Sequence, residues 1–591
     1  MINNIRKTIK NANYILGLAI KHDVSTLVII ILESIVNAAK PFILIIFPRF
    51  IIDSLLNKED IKIITSYIVV MALAYFILQI INDYLSWHRT LKTMKLYDYF
   101  GILLAKKSME TDFQNIENAD KLNDFQKAEN SIWYSSIGSL SVLVGCIVNI
   151  FKFVGLSYIL ASINPFIILL ITLICIFDFL YGIKNQKNVF ENMNHKADSD
   201  RKIKYLSETM ADFRYGKDIR LYNFNEMFLS YFDKNKDKNL MYQKKIFLLN
   251  KSRIFFNIVL SYILRGLLYA FYSYQCIIDK ITIGEYTMLI SAAESFYMNF
   301  SALINNSVEL KNFTMYINQY KNYLDYKDEI NNGKGIKEID KSNITIEFKC
   351  VSFKYPNTNQ YIIKNVSFII ENKTKVTIVG DNGAGKSTLI KLLLRLYDVT
   401  EGQILVNGVN IKEYDYTIYL KLFTAVFQDY KLMSLSLLDN IVPRSEDIIY
   451  DNLKASIDKS GFANRFSTLK NGLNTYLNKD FDNDGIEFSG GEKQKIAIAR
   501  ALYKDACVCI LDEPTAALDP RSEQDIYNNF NNVVENKTAI YISHRMSSCR
   551  FCDKIIVFEK GEIVEMGNHE ELMQNNKCYK KMWDSQAKYY L

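Results

Sequence analysis

Along the first 310 positions the hydrophobic residues gather in long runs, with neither the strict alternation of a half-buried strand nor the narrow stripe of a surface helix. A helix needs roughly 20 apolar residues to cross the hydrocarbon core of a bilayer. Six stretches reach that length, at 24–50, 63–87, 137–162, 165–183, 254–278 and 286–310. Six crossings return the chain to its starting side. The connections at 55–62, 162–165 and 279–285 are short, whereas 89–132 and 184–252 are long and read as helical. Past Leu310 the hydropathy falls, and Asn331-Asn332-Gly333-Lys334-Gly335 reads as a linker. From Ile344 onward short β-branched runs alternate with helical ones, the pattern of a partly parallel sheet. Strands are predicted at 344–348, 376–379, 507–511, 539–542 and 554–558. The expected organisation is a six-helix membrane domain over 1–325, a linker at 326–343 and an α/β domain over 344–591.

The net charge of +7 changes this picture little, because the basic residues are interleaved with acids and collect between the apolar runs. Arg89, Lys92, Lys95, Lys106 and Lys107 lie in the first long connection, and Lys184, Lys187, Arg201, Lys202 and Lys204 in the second. The positive-inside rule puts both in the cytoplasm. That distribution argues for a membrane partner and against nucleic acid. Nine cysteines form no framework; Cys146, Cys175 and Cys276 sit in apolar runs, and Cys549 with Cys552 is a lone CxxC. The polar start, with Lys7, Lys10, Lys21 and His22, leads into a run long enough to span, so no cleaved signal is expected and the N-terminus stays inside.

Chemistry enters at 376–388. Val376-Thr377-Ile378-Val379 reads as a strand and runs into Gly380-Asp381-Asn382-Gly383-Ala384-Gly385-Lys386-Ser387-Thr388, which fits the phosphate loop GxxxxGK[ST]. Glycines let backbone N–H groups fold around phosphate oxygens, Lys386 adds charge for the β- and γ-phosphates, and Ser387 is placed to ligate Mg²⁺. A second strand, Ile510-Leu511, ends in Asp512-Glu513. Asp512 suits Mg²⁺, directly or through a water, and Glu513 suits polarising an attacking water. The expected cofactors are ATP and Mg²⁺.

Taken together and in order, these motifs resemble an ATP-binding cassette (ABC) exporter, in particular a half-transporter whose membrane domain is fused ahead of its nucleotide domain. The resemblance covers essentially the whole chain. It implies a type 1 exporter membrane fold of six transmembrane helices followed by an α/β P-loop ATPase domain. By it, Tyr355 matches the aromatic that stacks on adenine, and Gln428 the glutamine that links Mg²⁺ and water to the membrane domain. Ala517-Leu518-Asp519 resembles the loop joining the two sites, and His544 the histidine that contacts the γ-phosphate. Ser489, Gly490, Gly491 and Glu492 match the family signature, which reaches the γ-phosphate held by the other subunit.

Two positions depart from the family pattern. Phe488 stands where leucine is usual, and Glu492 where glutamine is usual. A glutamate in the first turn suits the helix dipole yet brings negative charge near a phosphate, so Glu492→Gln is expected to raise turnover if that contact is weakened. The long connections resemble those that end in coupling helices, here at 112–127 and 210–224, the latter carrying Tyr215-Gly216-Lys217-Asp218-Ile219-Arg220.

The resemblance implies ATP-driven export by a dimer in the cytoplasmic membrane, with a homodimer favoured because most elements are near consensus. The cargo expected is a peptide, from similarity to bacterial peptide and lantibiotic exporters, with a drug or lipid as the alternative. Glu33, Lys40, Lys152, Asp178, Arg265 and Glu294 lie within the apolar runs, where charge is costly. They are expected either to pair between helices or to face a cavity, and in the second case the cargo is amphipathic or charged. The first span begins at Val24, so no leader-peptidase domain is expected ahead of it. An ATP-switched sensor or channel is the competing class. A soluble DNA-repair-type ATPase is excluded by the spans, and import is disfavoured by the fusion of the two parts.

Overall fold

The computed structural model describes residues 2–161, 165–330, 335–356, 358–442, 448–512, 534, 537–543 and 546–587. Internal packing divides the chain into two units: 1–107 with 123–325, and 108–122 with 326–591. The predicted linker residues 331–334 lie outside the described residues.

The first unit is helical. In chain order the helices are α1 (Ile2–His22), α2 (Val24–Leu56), α3 (Ile61–Glu110), α4 (Phe113–Glu117), α5 (Ala119–Asn130), α6 (Ser139–Ala161), α7 (Pro165–Ala211), α8 (Gly216–Leu221), α9 (Asn225–Ile277) and α10 (Ile283–Leu324). Of these, α4 groups with the second unit. The long connections are helical extensions of α3, α7 and α9, which run to 50, 47 and 53 residues. Ending a helix orphans four backbone groups, and none of the three carries an internal proline that would force a stop. At 1.5 Å per residue, α3 is about 75 Å long, more than twice the roughly 30 Å hydrocarbon thickness.

Among the described residues five helices are long and apolar enough to cross a membrane: Val24–Leu56, Ile61–Glu110, Tyr134–Ala161, Ile167–Ala211 and Asn225–Ile277. The sixth predicted span, 286–310, falls inside α10, a continuous helix whose membrane-length stretch is less apolar than those of the other five. Its neighbours explain why it can be. Leu289, Ala292, Ala293 and Phe296 are fully buried, and α10 packs on α2, α6, α7 and α9, so it presents less surface to lipid. By contrast none of the apolar window of α3 is buried. Val69, Leu73, Phe76 and Ile77 are all more than half exposed, a face that only a bilayer solvates at low cost.

The charges within the apolar runs find partners on neighbouring helices. Glu33 on α2, 4% exposed, is in ion-pair contact with Arg89 on α3 at 2.8 Å, and Lys40 donates to Gln79 Oε1 at 2.9 Å. Arg265 on α9 pairs with Glu294 on α10 at 2.9 Å, while Asp178 on α7 accepts from the Ser301 hydroxyl at 3.3 Å. Lys152 is half-buried on α6. Of the two expectations for these groups, pairing between helices accounts for Glu33, Arg265 and Glu294. At the other end of α2, Asp53 accepts from Thr282 Oγ1 and Gly284 N at 3.0 Å each, and Arg49 pairs with Glu285 at 2.8 Å. These contacts tie the end of α2 to the capped start of α10.

The second unit is α/β. Its strands are β1 (Ile346–Phe353), β2 (Ile363–Ile370), β3 (Lys375–Gly380), β4 (Glu401–Val406), β5 (Val409–Asn410), β6 (Phe423–Val426), β7 (Val508–Asp512), β8 (Thr538–Ile542), β9 (Lys554–Glu559) and β10 (Glu562–Gly567). A four-stranded sheet runs in the order β2-β1-β4-β5, and its three pairings are all antiparallel. A six-stranded sheet runs β10-β9-β3-β8-β7-β6, parallel except for β10. All five residues of β7 and of β8 are buried, as expected where helices cover both faces and strands become continuous apolar runs. The sequence reading located the strand cores at β1, β3, β7, β8 and β9 but did not name β2, β4, β5, β6 or β10. Of these, β2 alternates and is only half buried, and β5 and β6 are two and four residues long, too short for periodicity to register.

The hairpin 108–122, which the sequence reading put in the membrane domain, groups instead with this α/β unit. Asp112 Oδ2 accepts from the backbone N–H of Glu329 and Ile330 at 2.7 and 3.1 Å. Asp328 Oδ1 reciprocates, accepting from Thr111 Oγ1 and Asp112 N at 2.9 and 3.2 Å. Charge-assisted bonds of this kind are roughly twice as strong as neutral ones.

Candidate functional site

β3 ends in Gly380, and the loop that follows closes onto helix α11 (Lys386–Leu393). Three glycines make the turn possible. Gly383 and Gly385 sit at φ +80° and +106°, the left-handed region that penalises a Cβ. Gly380 comes so close to β9 that a Cβ would meet the Phe558 carbonyl oxygen at 2.1 Å. The result is a cleft of about 900 Å³ lined by Gly380, Asp381, Asn382, Gly383, Gly385, Lys386, Ser387, Thr388 and Gln428. Ile362, Val379, Ser543, Met546 and Met582 complete its wall.

Within the cleft Lys386, 5% exposed, donates through Nζ to the Gly380 and Asp381 carbonyls at 2.9 Å each. The ammonium is thereby aimed along the loop it serves. Ala384 is buried beneath the loop, and its carbonyl accepts from Gly561 N at 3.1 Å. Ser387 Oγ lies 3.5 Å from Asp512 Oδ1 at the end of β7, a hydroxyl and a carboxylate of the hard-oxygen type that a divalent cation takes. No group of three or more His, Cys, Asp or Glu side chains that could hold a metal occurs among the described residues. Ser387 and Asp512 are two oxygen donors, a set that fits a cation sharing its coordination with phosphate oxygens and water.

Tyr355 stands beside this cleft rather than in its wall. Its hydroxyl is hydrogen-bonded to Thr388 Oγ1 at 3.1 Å, while its ring borders a second recess of about 500 Å³ shared with Gln114, Lys354 and Tyr397. Glu513, Asp519 and His544 lie outside the described residues. Two neighbours of theirs, Asp512 and Ser543, are in place at the ends of β7 and β8.

The signature opens a long helix. The remaining helices before it are α12 (Tyr416–Leu420), α13 (Leu437–Ile441), α14 (Tyr450–Lys459) and α15 (Ala463–Phe466); α16 spans Gly490–Tyr503. Ser489 caps α16, its Oγ accepting from Glu492 N at 3.3 Å, and Glu492 Oε2 accepts from Ser489 N at 2.8 Å. This is a capping box, and it accounts for the glutamate. The other carboxylate oxygen of Glu492 is in ion-pair contact with Arg465 Nε at 2.9 Å. Phe488 is buried against Phe462, filling space behind the cap. Both departures from the family pattern thus have local structural employment. Glutamine at the third helical position also closes a capping box, so Glu492→Gln is expected to leave ATP turnover within about twofold. A several-fold rise in steady-state ATPase would show instead that the charge reaches a phosphate.

Sequence reasoning did not find the fastening of α16 to the segment after Gln428. The Tyr430 hydroxyl donates to the Gly490 carbonyl at 3.1 Å, and Arg500 donates to the Asn440 and Lys431 carbonyls at 2.6 and 3.2 Å. Met546 and Met582 were also missed, the second coming from the C-terminal helix Cys578–Ala587. Only Ser543 and Ile362 carried a signal, through their adjacency to His544 and nearness to Tyr355.

A glycine cradle opening a helix, a buried lysine and a strand-end carboxylate define a P-loop nucleotide-binding domain. Residues 363–516 match the family model described as ABC transporter. The subtilin transport ATP-binding protein of Bacillus subtilis is 29% identical over 575 residues, covering 94% of this chain and 90% of that protein. The ATP-dependent lipid A-core flippase of Haemophilus ducreyi is 32% identical over 330 residues, 56% of each chain. The structure of a bacterial Atm1-family ABC exporter with ATP bound superposes with a TM-score of 0.76 over 96% of this chain and all of that one, at 20% identity. The chain carries an ABC transporter domain joined to a helical half in the ABC exporter fold, and it is a multi-pass membrane protein with its nucleotide domain in the cytoplasm.

Proposed function

We propose that the chain is one half of a dimeric exporter that couples ATP hydrolysis to movement of cargo by alternating access. The observation that carries this reading is the joining, on one chain, of a phosphate cradle to apolar helices whose exposed faces require lipid. ATP is the nucleotide, its phosphates held by the backbone N–H groups of Gly380, Asp381, Asn382, Gly383, Ala384 and Gly385 and by Lys386. Ser387, Asp512 and Gln428 would hold Mg²⁺, which when bound neutralises charge on the transferring phosphoryl group. Glu513 orients and polarises the attacking water, His544 donates to the γ-phosphate, and Asp519 belongs to the loop between sites. Tyr355 supplies a ring face for the adenine.

The second subunit enters through the signature. None of Ser489, Gly490, Gly491 or Glu492 lines the cleft formed by the chain's own loop, yet a capped helix N-terminus suits an arriving anion. We assign it to the γ-phosphate held by a second copy, so that each site is complete only in a dimer. A homodimer follows most simply from a signature and phosphate loop that are both well formed.

A peptide cargo is favoured over a lipid. The subtilin transport protein aligns over both halves, whereas the lipid A-core flippase aligns over 56% of the chain. Purified protein in lipid, assayed for ATPase activity with peptides, lipids and drugs, tests this. Stimulation of about threefold or more by a peptide, and not by lipids, is expected from an exporter whose cargo binding favours one conformation. Stimulation by lipid alone would reassign the cargo, and no turnover by the chain alone would point to a different partner half.

A further inference from the structure

The carboxylate of Glu117, at the end of α4, reaches the helix that carries the phosphate loop. Its Oε1 accepts from Lys391 Nζ at 2.9 Å, and Oε2 accepts from the Tyr397 hydroxyl. Lys391 lies on α11, five residues after Lys386, and Tyr397 lies just past that helix. The Tyr397 ring stands edge-on to Tyr355 with centroids 5.3 Å apart, and Tyr355 in turn holds Thr388. One carboxylate thus grips α11 at its C-terminal end and, through two tyrosines, at its N-terminal end. Lys391 also lies 5.6 Å from the Phe113 ring and 5.8 Å from that of Tyr355.

We propose that Glu117 is a positioning residue for nucleotide binding: by holding Lys391 and Tyr397 it sets where α11 and Tyr355 stand, and so tunes the affinity of the cleft for ATP. The proposal rests on the reading of the cleft as an ATP site. Two features make the hold stiff. The reciprocal bonds of Asp112 and Asp328 fix the backbone from which α4 starts, and Phe113 packs edge-on against Tyr397 at 6.1 Å. Burial pushes the Glu117 carboxyl up, but the Tyr397 hydroxyl and the Lys391 ammonium outweigh it and hold it below the usual glutamate range. The carboxylate is therefore ionised at neutral pH, and the grip is lost only as pH falls below that range. Glu117 and Lys391 are partly exposed, which limits the strength of the pair alone. Its effect is one of placement.

The test uses the full chain in lipid and titrates a fluorescent ATP analogue, so that it reads binding even where turnover or transport fails. Glu117→Ala is expected to weaken binding about three- to tenfold, and Glu117→Lys further still, because it sets two cations together. The exchange Glu117→Lys with Lys391→Glu is expected to restore affinity to within about twofold. A melting curve that stays at the wild-type temperature excludes unfolding as the cause. Unchanged affinity in Glu117→Ala, or no recovery in the exchanged pair, would overturn the proposal. Absence of binding by the unmodified chain would instead strike the ATP reading on which it rests.

Discussion

Lys386→Ala is expected to cut ATP turnover by at least about a hundredfold, a loss typical of removing one preorganised electrostatic contact from a phosphoryl-transfer site. The expectation follows from where the ammonium is held. It is almost completely buried and is oriented by two loop carbonyls at 2.9 Å, so no solvent cation or neighbouring side chain replaces it on demand. Phosphoryl transfer asks little covalent chemistry of the protein, and charge placed in advance is most of what the protein supplies. The same substitution leaves the Gly380 and Asp381 carbonyls short of a donor, at roughly 1–3 kcal/mol if water does not reach them. Stability and turnover are therefore measured together. A variant that melts a few degrees lower yet loses nearly all ATPase activity supports the assignment, and turnover within tenfold of the parent chain would remove Lys386 from it.

Gly380→Ala carries the second large effect, and this one is on folding. A methyl group at this position meets the Phe558 carbonyl oxygen at 2.1 Å and the Phe558 carbonyl carbon at 3.1 Å. Those atoms belong to β9, which pairs with β3 through Gly380 itself. Neither strand has room to retreat, since β3 lies between β8 and β9 in the sheet. Overpacking a backbone contact of this kind costs roughly 2–4 kcal/mol. In a unit of this size the calorimetric transition should fall by on the order of 10 °C. A shift below 2 °C would mean that the sheet opens between β3 and β9 more readily than its register implies. Gly383→Ala makes a useful contrast, because there a Cβ meets nothing within 4 Å and only the positive φ opposes it.

The phosphate loop was legible in advance because its geometry is written into adjacent residues. Glycines at 380, 383 and 385, a lysine and a hydroxyl at fixed spacing are all the turn requires, and nine of the predicted residues line the cleft. The apolar runs were legible for a similar reason, since hydrocarbon thickness translates into run length. The length of α3, α7 and α9 was less so: their polar connections read as helical, but nothing in a polar stretch marks whether that helix is continuous with the apolar run beside it. The sixth helix shows the limit from the other side. Its polarity only makes sense once α2, α6, α7 and α9 are seen to shield it.

Glu492 and Glu117 mark where reading along the chain stops. A glutamate in the signature looked like an unwanted charge beside a phosphate, but Ser489 and Arg465 occupy it, and Arg465 is distant in sequence and bears no motif. Glu117 falls in the stretch 112–127 that resembles a coupling helix, where no motif singles it out. Its meaning comes from Lys391 and Tyr397, more than 270 positions away. Chemistry that depends on spacing within one loop or one run, the phosphate cradle and the membrane segments, follows from local backbone rules and solvent preference. Chemistry that depends on which distant side chains meet, the grip on α11, the paired membrane charges and the methionines in the cleft wall, was decided only by packing, because no local rule selects the partner.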